Sequence, residues 1–383
     1  MRRLNVLISG AGIAGCTLAY WLARYGHAVT VVERSGALRS SGAPVDIRGP
    51  AADVAARMGI TARLREACTR ISGITILDGA GRRSARVDLV DMQRLQGRHD
   101  IEVPRGDLST ILHHACGDSV EFIYGDSIAS LAQDESGVDV GFEKAAPRRF
   151  DLVIGADGLH SNVRRLAFGS ESSFVCFEGL YVATLPLPAS ICSDRDLFML
   201  NAPGKCVGLH PSRDVPLGMF VFWSEEIPGI ARSDERKRKA LVSSAFAGIG
   251  WKVPEILAAL GTTGRMYFDS VSRVRLADWW RGRVALLGDA AACVSLFGDG
   301  SSLAMVGADT LARALADNPI DHVRAFRQYQ ERHGKLVRSR HRTLSLVASL
   351  LIPRTRLGIA LRNQVLVRAL SAIAKLKGIG RSA

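Results

Sequence analysis

No run of about 18 uncharged apolar residues occurs in the 383-residue chain, so a membrane-spanning helix is not expected. The opening "MRRLNVLISG" moves straight into a buried-strand pattern without a cleavable signal, and the expectation is a soluble, cytoplasmic protein. Seven cysteines, at positions 16, 68, 116, 176, 192, 206 and 293, are scattered, odd in number and hold no C-x-x-C pair. That pattern argues against a disulfide framework or a zinc site, leaving free thiols and no metal. Acids are scarce at the C-terminal end, where residues 321–383 carry fourteen Lys/Arg against two Asp/Glu, a net of +12 out of the chain's +13. Solvated faces on terminal helices are the ordinary reading of such charge; docking to an acidic partner or an anionic membrane surface is the other. Residues 337–378 hold no Phe, Tyr or Trp to stack on a base, so nucleic acid is not the expected partner. In the same stretch Ile359, Leu361, Val365, Leu366, Leu370, Ile373 and Leu376 recur at helical spacing, a stripe expected to pack onto the body of the protein.

At 47% hydrophobic and 23% charged, the chain has the composition of a globular protein with one large or two modest domains. Chemistry first becomes legible in "NVLISGAGIAGCTLAYWLARYGHAVTVVER". An apolar strand from Leu4 to Ser9 enters Gly10-x-Gly12-x-x-Gly15, a helical pattern runs to about Tyr25, and a second strand, Ala28 to Val32, ends in Glu33. Gly10 permits the tight turn, Gly12 lets a pyrophosphate approach the backbone, and Gly15 lets the helix pack closely on the strand. Glu33, placed after the second strand, suits a ribose 2′-hydroxyl and would repel a 2′-phosphate, so a dinucleotide is the expected ligand.

Two further strand-then-acid units follow. "FDLVIGADGLHSNVRRLAFG" gives a buried strand to Gly155, then Asp157-Gly158, a Ser161 cap and Arg164; "GRVALLGDAA" gives a strand ending in Gly288-Asp289. The three units in this order resemble the FAD-dependent monooxygenase family typified by para-hydroxybenzoate hydroxylase, across roughly residues 4 to 330. The resemblance implies an α/β fold, with a discontinuous Rossmann-like FAD-binding domain, an antiparallel β-sheet substrate domain and C-terminal helices. It divides the chain into residues 1–170 and 273–320 for FAD, the first part also able to lend strands to the substrate domain. Residues 171–272 form the substrate sheet and 321–383 the basic helices.

The resemblance also implies roles. Gly10, Gly12, Ala14 and Gly15 would meet the pyrophosphate, Glu33 the adenosine ribose, and Arg34 the adenine side. Arg105 in "IEVPRGDLSTILHHAC" matches an arginine that opens a helix near FAD, its alternative being a surface residue at a helix start. Ile128 begins a strand pair whose backbone meets the adenine in the family. Asp157 and Arg164 support FAD and a transient NAD(P)H there, or else brace the turn. Asp289 would hold the ribityl hydroxyls, with Gly300, Ser301 and Ser302 opening the helix beside the flavin ring. Family members carry prolines in the loop after the G-D motif; this chain has Val294, Ser295 and Leu296, then Gly298-Asp299-Gly300. An inward Asp299 would oppose an anionic flavin, and an outward one would be neutral drift.

Between the D-G and G-D motifs, short alternating strand patterns separated by Pro/Gly turns point to an antiparallel sheet. Phe198, Leu200, His210, Met219, Phe220 and Phe222 are the candidate substrate contacts, to be divided between core and pocket; His210, a turn residue before proline, and the helical His113 and His114 also have structural readings. No catalytic side chain is named, because in the family the hydroxylating oxygen comes from a flavin C4a-hydroperoxide. The implied reaction uses NAD(P)H and O2 to oxygenate an aromatic or polyketide-like small molecule, free or bound to a carrier protein, by a monomer or homodimer. The alternative is a non-redox enzyme of natural-product biosynthesis, such as a cyclase, in which FAD is structural. A reductase or dehydrogenase on the same fold is a further rival. A flavin-dependent halogenase is disfavoured because the first lysine is Lys144 and "FWSEEIP" keeps only fragments of the halogenase motif.

Overall fold

The computed structural model describes residues 3–38, 43–69, 71–89, 100–192, 194–213, 215–262, 266–293 and 299–365. They fall into two units. The first comprises residues 1–68, 100–176 and 272–344, and the second 69–99, 177–271 and 345–383. The chain passes between them within the strands Val175–Pro186 and Tyr267–Val274.

Continuous apolar runs, rather than alternating ones, mark the central strands of the first unit. Val6, Leu7 and Ile8 are fully buried, as are Val153 and Ile154, and Ala285 and Leu286. Strands buried on both faces belong to parallel sheets covered by helices, and that is what forms here. The order is Trp280–Arg281, Val284–Leu286, Leu152–Gly155, Asn5–Ser9, Ala28–Glu33 and Val120–Tyr124, parallel except for the edge pairing of Trp280–Arg281 with Val284–Leu286. The register sets Ile8 beside Ile154 on one side and Val31 on the other.

Helix Ile13–Arg24 packs beside Arg105–Cys116 and Asp299–Asp317. It buries Leu18 and Leu22 completely, each contributing roughly 1.5–3 kcal/mol of transfer free energy. It stops where the Gly26 N–H turns back to the Ala23 carbonyl and the His27 N–H to that of Leu22, with Gly26 at φ +85°. Glycine is the residue that tolerates that left-handed stop. A three-stranded antiparallel sheet, Ile128–Gln133, Val138–Phe142 and Arg148–Phe150, and the pair Val45–Ile47 with Ile101–Val103 complete this unit.

In the second unit a seven-stranded sheet has the order Tyr267–Val274, Val175–Pro186, Leu217–Trp223, Lys205–His210, Asp196–Ala202, Gly73–Leu77 and Arg83–Asp88. Its registered pairings are antiparallel except that of Asp196–Ala202 with Gly73–Leu77, where the segment before residue 89 joins the sheet in parallel. Register decides the faces. Tyr181, Ala183, Phe220, Phe222, Val207 and Leu209 share one face, against Val242 and Phe246 of helix Glu235–Phe246 and Ile256 and Leu260 of helix Val253–Thr262.

The apolar stripe expected to pack inward at the C-terminal end is turned the other way in part. Ile359 is half-buried, but Leu361 and Val365 are exposed. Arg362 and Asn363 occupy the inner side instead, the first donating to Asn201 Oδ1 at 2.8 Å. Leu366, Leu370, Ile373 and Leu376 lie outside the described residues.

Candidate functional site

Three neighbouring parallel strands end in three loops that leave the same edge of the first unit's sheet. Asn5–Ser9 runs into Gly10, Leu152–Gly155 into Asp157, and Val284–Leu286 into Gly288 and Asp289. The carboxyl edge of such a sheet is where ligands bind. Contacts between the loops are close. A Cβ on Gly10, whose φ is +104°, would stand 2.6 Å from the Ala156 carbonyl oxygen, and a Cβ on Gly288 would stand 2.9 Å from that of Ala14. Glycine is therefore required at both places for the loops to touch.

The other glycines of the first motif divide by what faces them. A Cβ on Gly15 would come 1.9 Å from the Gly10 carbonyl oxygen, so Gly15 serves packing. Gly12 has nothing within 4 Å and an ordinary extended backbone, so no protein contact demands a glycine there. It caps helix Ile13–Arg24, whose first turn receives no side-chain cap and carries no acid. A first turn without a side-chain cap, the positive end of the helix dipole and an open approach over the exposed Gly12 together fit a pyrophosphate. Glu33, the last residue of its strand, holds its carboxylate beside this loop: Oε2 accepts from the Ala11 N–H and Oε1 from the Ser35 N–H, both at 2.9 Å. Each oxygen keeps a second lone pair for a ligand hydroxyl.

Asp157 organises the middle loop. Its carboxylate accepts from the N–H groups of Asn162 and Val163 at 2.8 and 3.0 Å, from Ser161 Oγ, and from Ser9 Oγ at 3.4 Å. Burial pushes its carboxyl up, and the hydrogen bonds from Ser161 and the helix N–H groups oppose that shift. Arg164, on the helix Asn162–Ala167, is fully buried; Nη1 donates to the Ala290 carbonyl at 3.0 Å and Nη2 to that of Leu159 at 2.6 Å. Asp289 opens the short helix Asp289–Ala292, and a Cβ on Gly300 would stand 3.9 Å from its Oδ1. The acid thus points toward the start of helix Asp299–Asp317.

A family model described as an FAD binding domain matches residues 3–320. The chain is 39% identical over 340 residues to an uncharacterized protein of Mycobacterium tuberculosis, covering 88% of this chain and 91% of the relative. It is 35% identical over 330 residues to a flavin-dependent monooxygenase of an unknown prokaryotic organism, covering 85% of each. The crystal structure of tetracycline destructase Tet(55) superposes with a TM-score of 0.84 at 31% identity over 95% of both chains.

The chain belongs to the FAD-dependent monooxygenases. FAD is the cofactor of this monooxygenase, and NAD(P)H is the reductant typical of its family.

The remaining expected site residues of the monooxygenase are less uniformly placed. Arg34 is exposed, and Arg105 is half-buried at the start of its helix; neither takes part in the hydrogen bonds above. Ile128 buries its side chain, and its carbonyl accepts from Asn162 Nδ2 at 2.6 Å. Ser301 is buried, while Ser302 Oγ donates to the Asp46 carbonyl at 2.8 Å and accepts from the Arg48 N–H at 3.0 Å. Burial pushes the Asp46 carboxyl up to about 6, against the lowering effect of Arg48 at 2.7 Å. The proline-free stretch Val294, Ser295 and Leu296, with Gly298 and the Asp299 side chain, lies outside the described residues.

Of the candidate substrate contacts, Phe220 and Phe222 are buried against Phe246, at ring distances of 4.7 and 5.6 Å. Their rings serve the core on the helix-covered face. Leu200 is buried, and Phe198 lines a cavity of about 450 Å³ with Arg83, Arg86, Asp196 and Thr75 in the second unit. Met219 lies on the opposite face from Phe220, half-buried against Gly208. His210 is buried, and its Nδ1 accepts from the Ser212 N–H at 2.9 Å, which ties the turn. His113 packs its ring 4.3 Å from that of Phe122, and burial lowers its pKa.

Sequence reading passed over three supports of this site: Ser9, Asn162 and the Asp46–Arg48 pair. Asn162 had a visible signal, its place directly after Ser161 in the D-G-L-H-S-N run. The Asp46–Arg48 pair had none, because Ser302, which it meets, lies more than 250 residues away in sequence.

Proposed function

We propose that the edge formed by Gly10, Asp157 and Asp289 is the FAD site, and that the monooxygenase oxygenates a planar aromatic or polyketide-like small molecule. The observation that carries the first part is the open face over Gly12 between loops held in contact on both sides. The pyrophosphate is assigned to Gly12 and the first turn of Ile13–Arg24, with Ala14 and the two packing glycines shaping the loop. Glu33 takes the adenosine ribose, Arg34 and the Ile128 backbone the adenine side, and Arg105 a place near FAD at the start of its helix. Asp157 acts as an organiser of the site through Ser9, Ser161 and the helix it caps.

Asp289 takes the ribityl hydroxyls. The backbone N–H groups at Gly300, Ser301 and Ser302, at the start of a 19-residue helix, favour negative charge on the ring beside them. Ser302 contributes only its backbone, since its hydroxyl is engaged by Asp46 and Arg48. Bound FAD supplies the electron transfer from NAD(P)H and the activation of O2. The chain's part is to hold, orient and polarise, which is why no acid, base or nucleophile is assigned. The substrate class is supported by similarity over most of the chain to a protein named for its action on tetracycline.

The test is the flavin spectrum of the purified protein, followed by NADH and NADPH oxidation with and without planar phenols and polycyclic ketones. Asp289→Ala is expected to weaken FAD binding about 10- to 100-fold, the loss of a charged acceptor worth roughly 1.5–3 kcal/mol. A protein that neither retains nor reconstitutes FAD contradicts the site. An FAD-loaded protein that no planar phenol or ketone stimulates contradicts the substrate class alone.

A further inference from the structure

The segment 351–363 of the second unit is pinned along its inner side. Asn201 Nδ2 donates to the Leu351 carbonyl, Trp223 Nε1 to that of Ile352, and the Gly204 N–H to that of Pro353, each at 2.9 Å. Arg362 Nη2 donates to Asn201 Oδ1 at 2.8 Å, and the Arg354 guanidinium sits 3.9 Å over the Trp223 ring. Ile352 and Pro353 are buried. Held in this way, the outer side is displayed by a fixed scaffold.

That outer side is apolar. Leu346, Val347, Leu350, Leu357, Leu361 and Val365 are exposed, from 38% at Val347 to 70% at Leu357. They recur at helical spacing, Leu346 with Leu350 at the end of His322–Leu351, and Leu357, Leu361 and Val365 on Arg356–Val365; these two helices bend by 102° between them. Single exposed leucines are ordinary, but six aliphatics concentrated in residues 346–365 are not.

Charge selects what covers them. The only charged residues in 346–365 are Arg354, Arg356 and Arg362, and from 332 to 383 the sequence holds twelve Lys/Arg and no Asp or Glu. A second copy of the chain would set this basic surface against itself. An anionic bilayer complements both properties, accepting the aliphatics at the headgroup boundary and the exposed Arg356 at the phosphates, while Arg354 and Arg362 are engaged by Trp223 and Asn201. Among the described residues no single helix is long and apolar enough to cross a membrane; the two helices of this surface pass by length and composition only as a pair bent by 102°, and the hydrogen bonds that pin their inner side to the protein suit a peripheral contact. We propose that residues 346–365 form a docking surface for an anionic lipid bilayer.

The experiment is flotation of the FAD-loaded enzyme with vesicles of phosphatidylglycerol and phosphatidylcholine, or of phosphatidylcholine alone. The comparison variants are Leu357→Ser with Leu361→Ser, and Arg356→Glu, with flavin content as the check on folding and sedimentation as the check on assembly. Wild type is expected to float with the anionic vesicles only, and less in high salt. The double leucine variant should lose at least tenfold in partitioning and Arg356→Glu severalfold, with flavin content unchanged. Absence of binding overturns the proposal. So does binding that the leucine changes leave intact, which would rest on basic charge alone. A dimer that those changes dissociate, without vesicle binding, would assign the surface to a second copy instead.

Discussion

Arg164 Nη1 donates to the carbonyl of Ala290 at 3.0 Å, fastening the helix behind the D-G motif to the short helix that Asp289 opens. The same guanidinium holds the Leu159 carbonyl, and the whole side chain is sealed from solvent. Burial lowers the Arg164 pKa, so the charge is kept by these acceptors at a desolvation cost. Arg164→Met should leave two buried carbonyls without a donor and cost about 2–4 kcal/mol of stability. Thermal unfolding of apo and FAD-loaded protein checks it, the loaded form losing more because Asp289 is loosened. An unchanged melting curve would mean the brace is dispensable.

Gly12 and Gly15 should fail in different ways. Gly12→Ala adds a methyl where nothing lies within 4 Å, so apo stability should hold while FAD affinity falls about tenfold or more, roughly 1.4 kcal/mol. Gly15→Ala drives a methyl into the Gly10 carbonyl and should destabilise the fold itself by about 1–3 kcal/mol. Chemical denaturation of each apo variant, paired with FAD titration, separates the two. Equal effects of the two changes would undo the division between a ligand glycine and a packing glycine.

Those glycines also show why part of the site could be read directly from sequence. A tight turn, an uncapped helix start and an acid at a strand end are local features, and the three strands that carry them are uniform apolar runs. The second sheet was not legible in the same way. Whether Phe220 or Met219 faces the core depends on pairing with Val207 and Gly208, and alternation alone leaves the two faces equivalent. Nor does sequence reveal the long-range supports: the acceptor of Arg164 is a carbonyl 126 residues distant, and nothing marks a backbone oxygen in advance. At the C-terminal end, helical periodicity identified a stripe but not its direction, which Arg362 and Asn363 settle by their contacts with Asn201 and Ser84.

Acid should weaken the first unit through His333. Its ring packs against those of Trp279 and Tyr329, at centroid distances of 5.9 Å each, and burial pushes its pKa down to about 4 from an ordinary 6.5. The unfolded chain takes up this proton first as pH falls, so stability present above pH 6.5 is lost progressively toward pH 4, by roughly 3 kcal/mol. Asp46 works in the opposite sense, its raised carboxyl giving stability at low pH that is lost as pH rises through about 6. The readout is therefore the difference between wild type and His333→Leu in denaturation experiments from pH 4 to 7. That difference should vary by about 3 kcal/mol across the window; a constant difference would mean that His333 titrates alike in the folded and unfolded chain.

The most direct test of monooxygenation is turnover of the FAD-loaded enzyme with NADPH, a planar polycyclic phenol and isotopically labelled dioxygen, with the product examined by mass spectrometry. One labelled oxygen atom per product molecule, formed together with NADPH consumption and lost in Asp289→Ala at limiting FAD, is the expected result. A product that carries no label from dioxygen, or that forms without NADPH, would contradict the account.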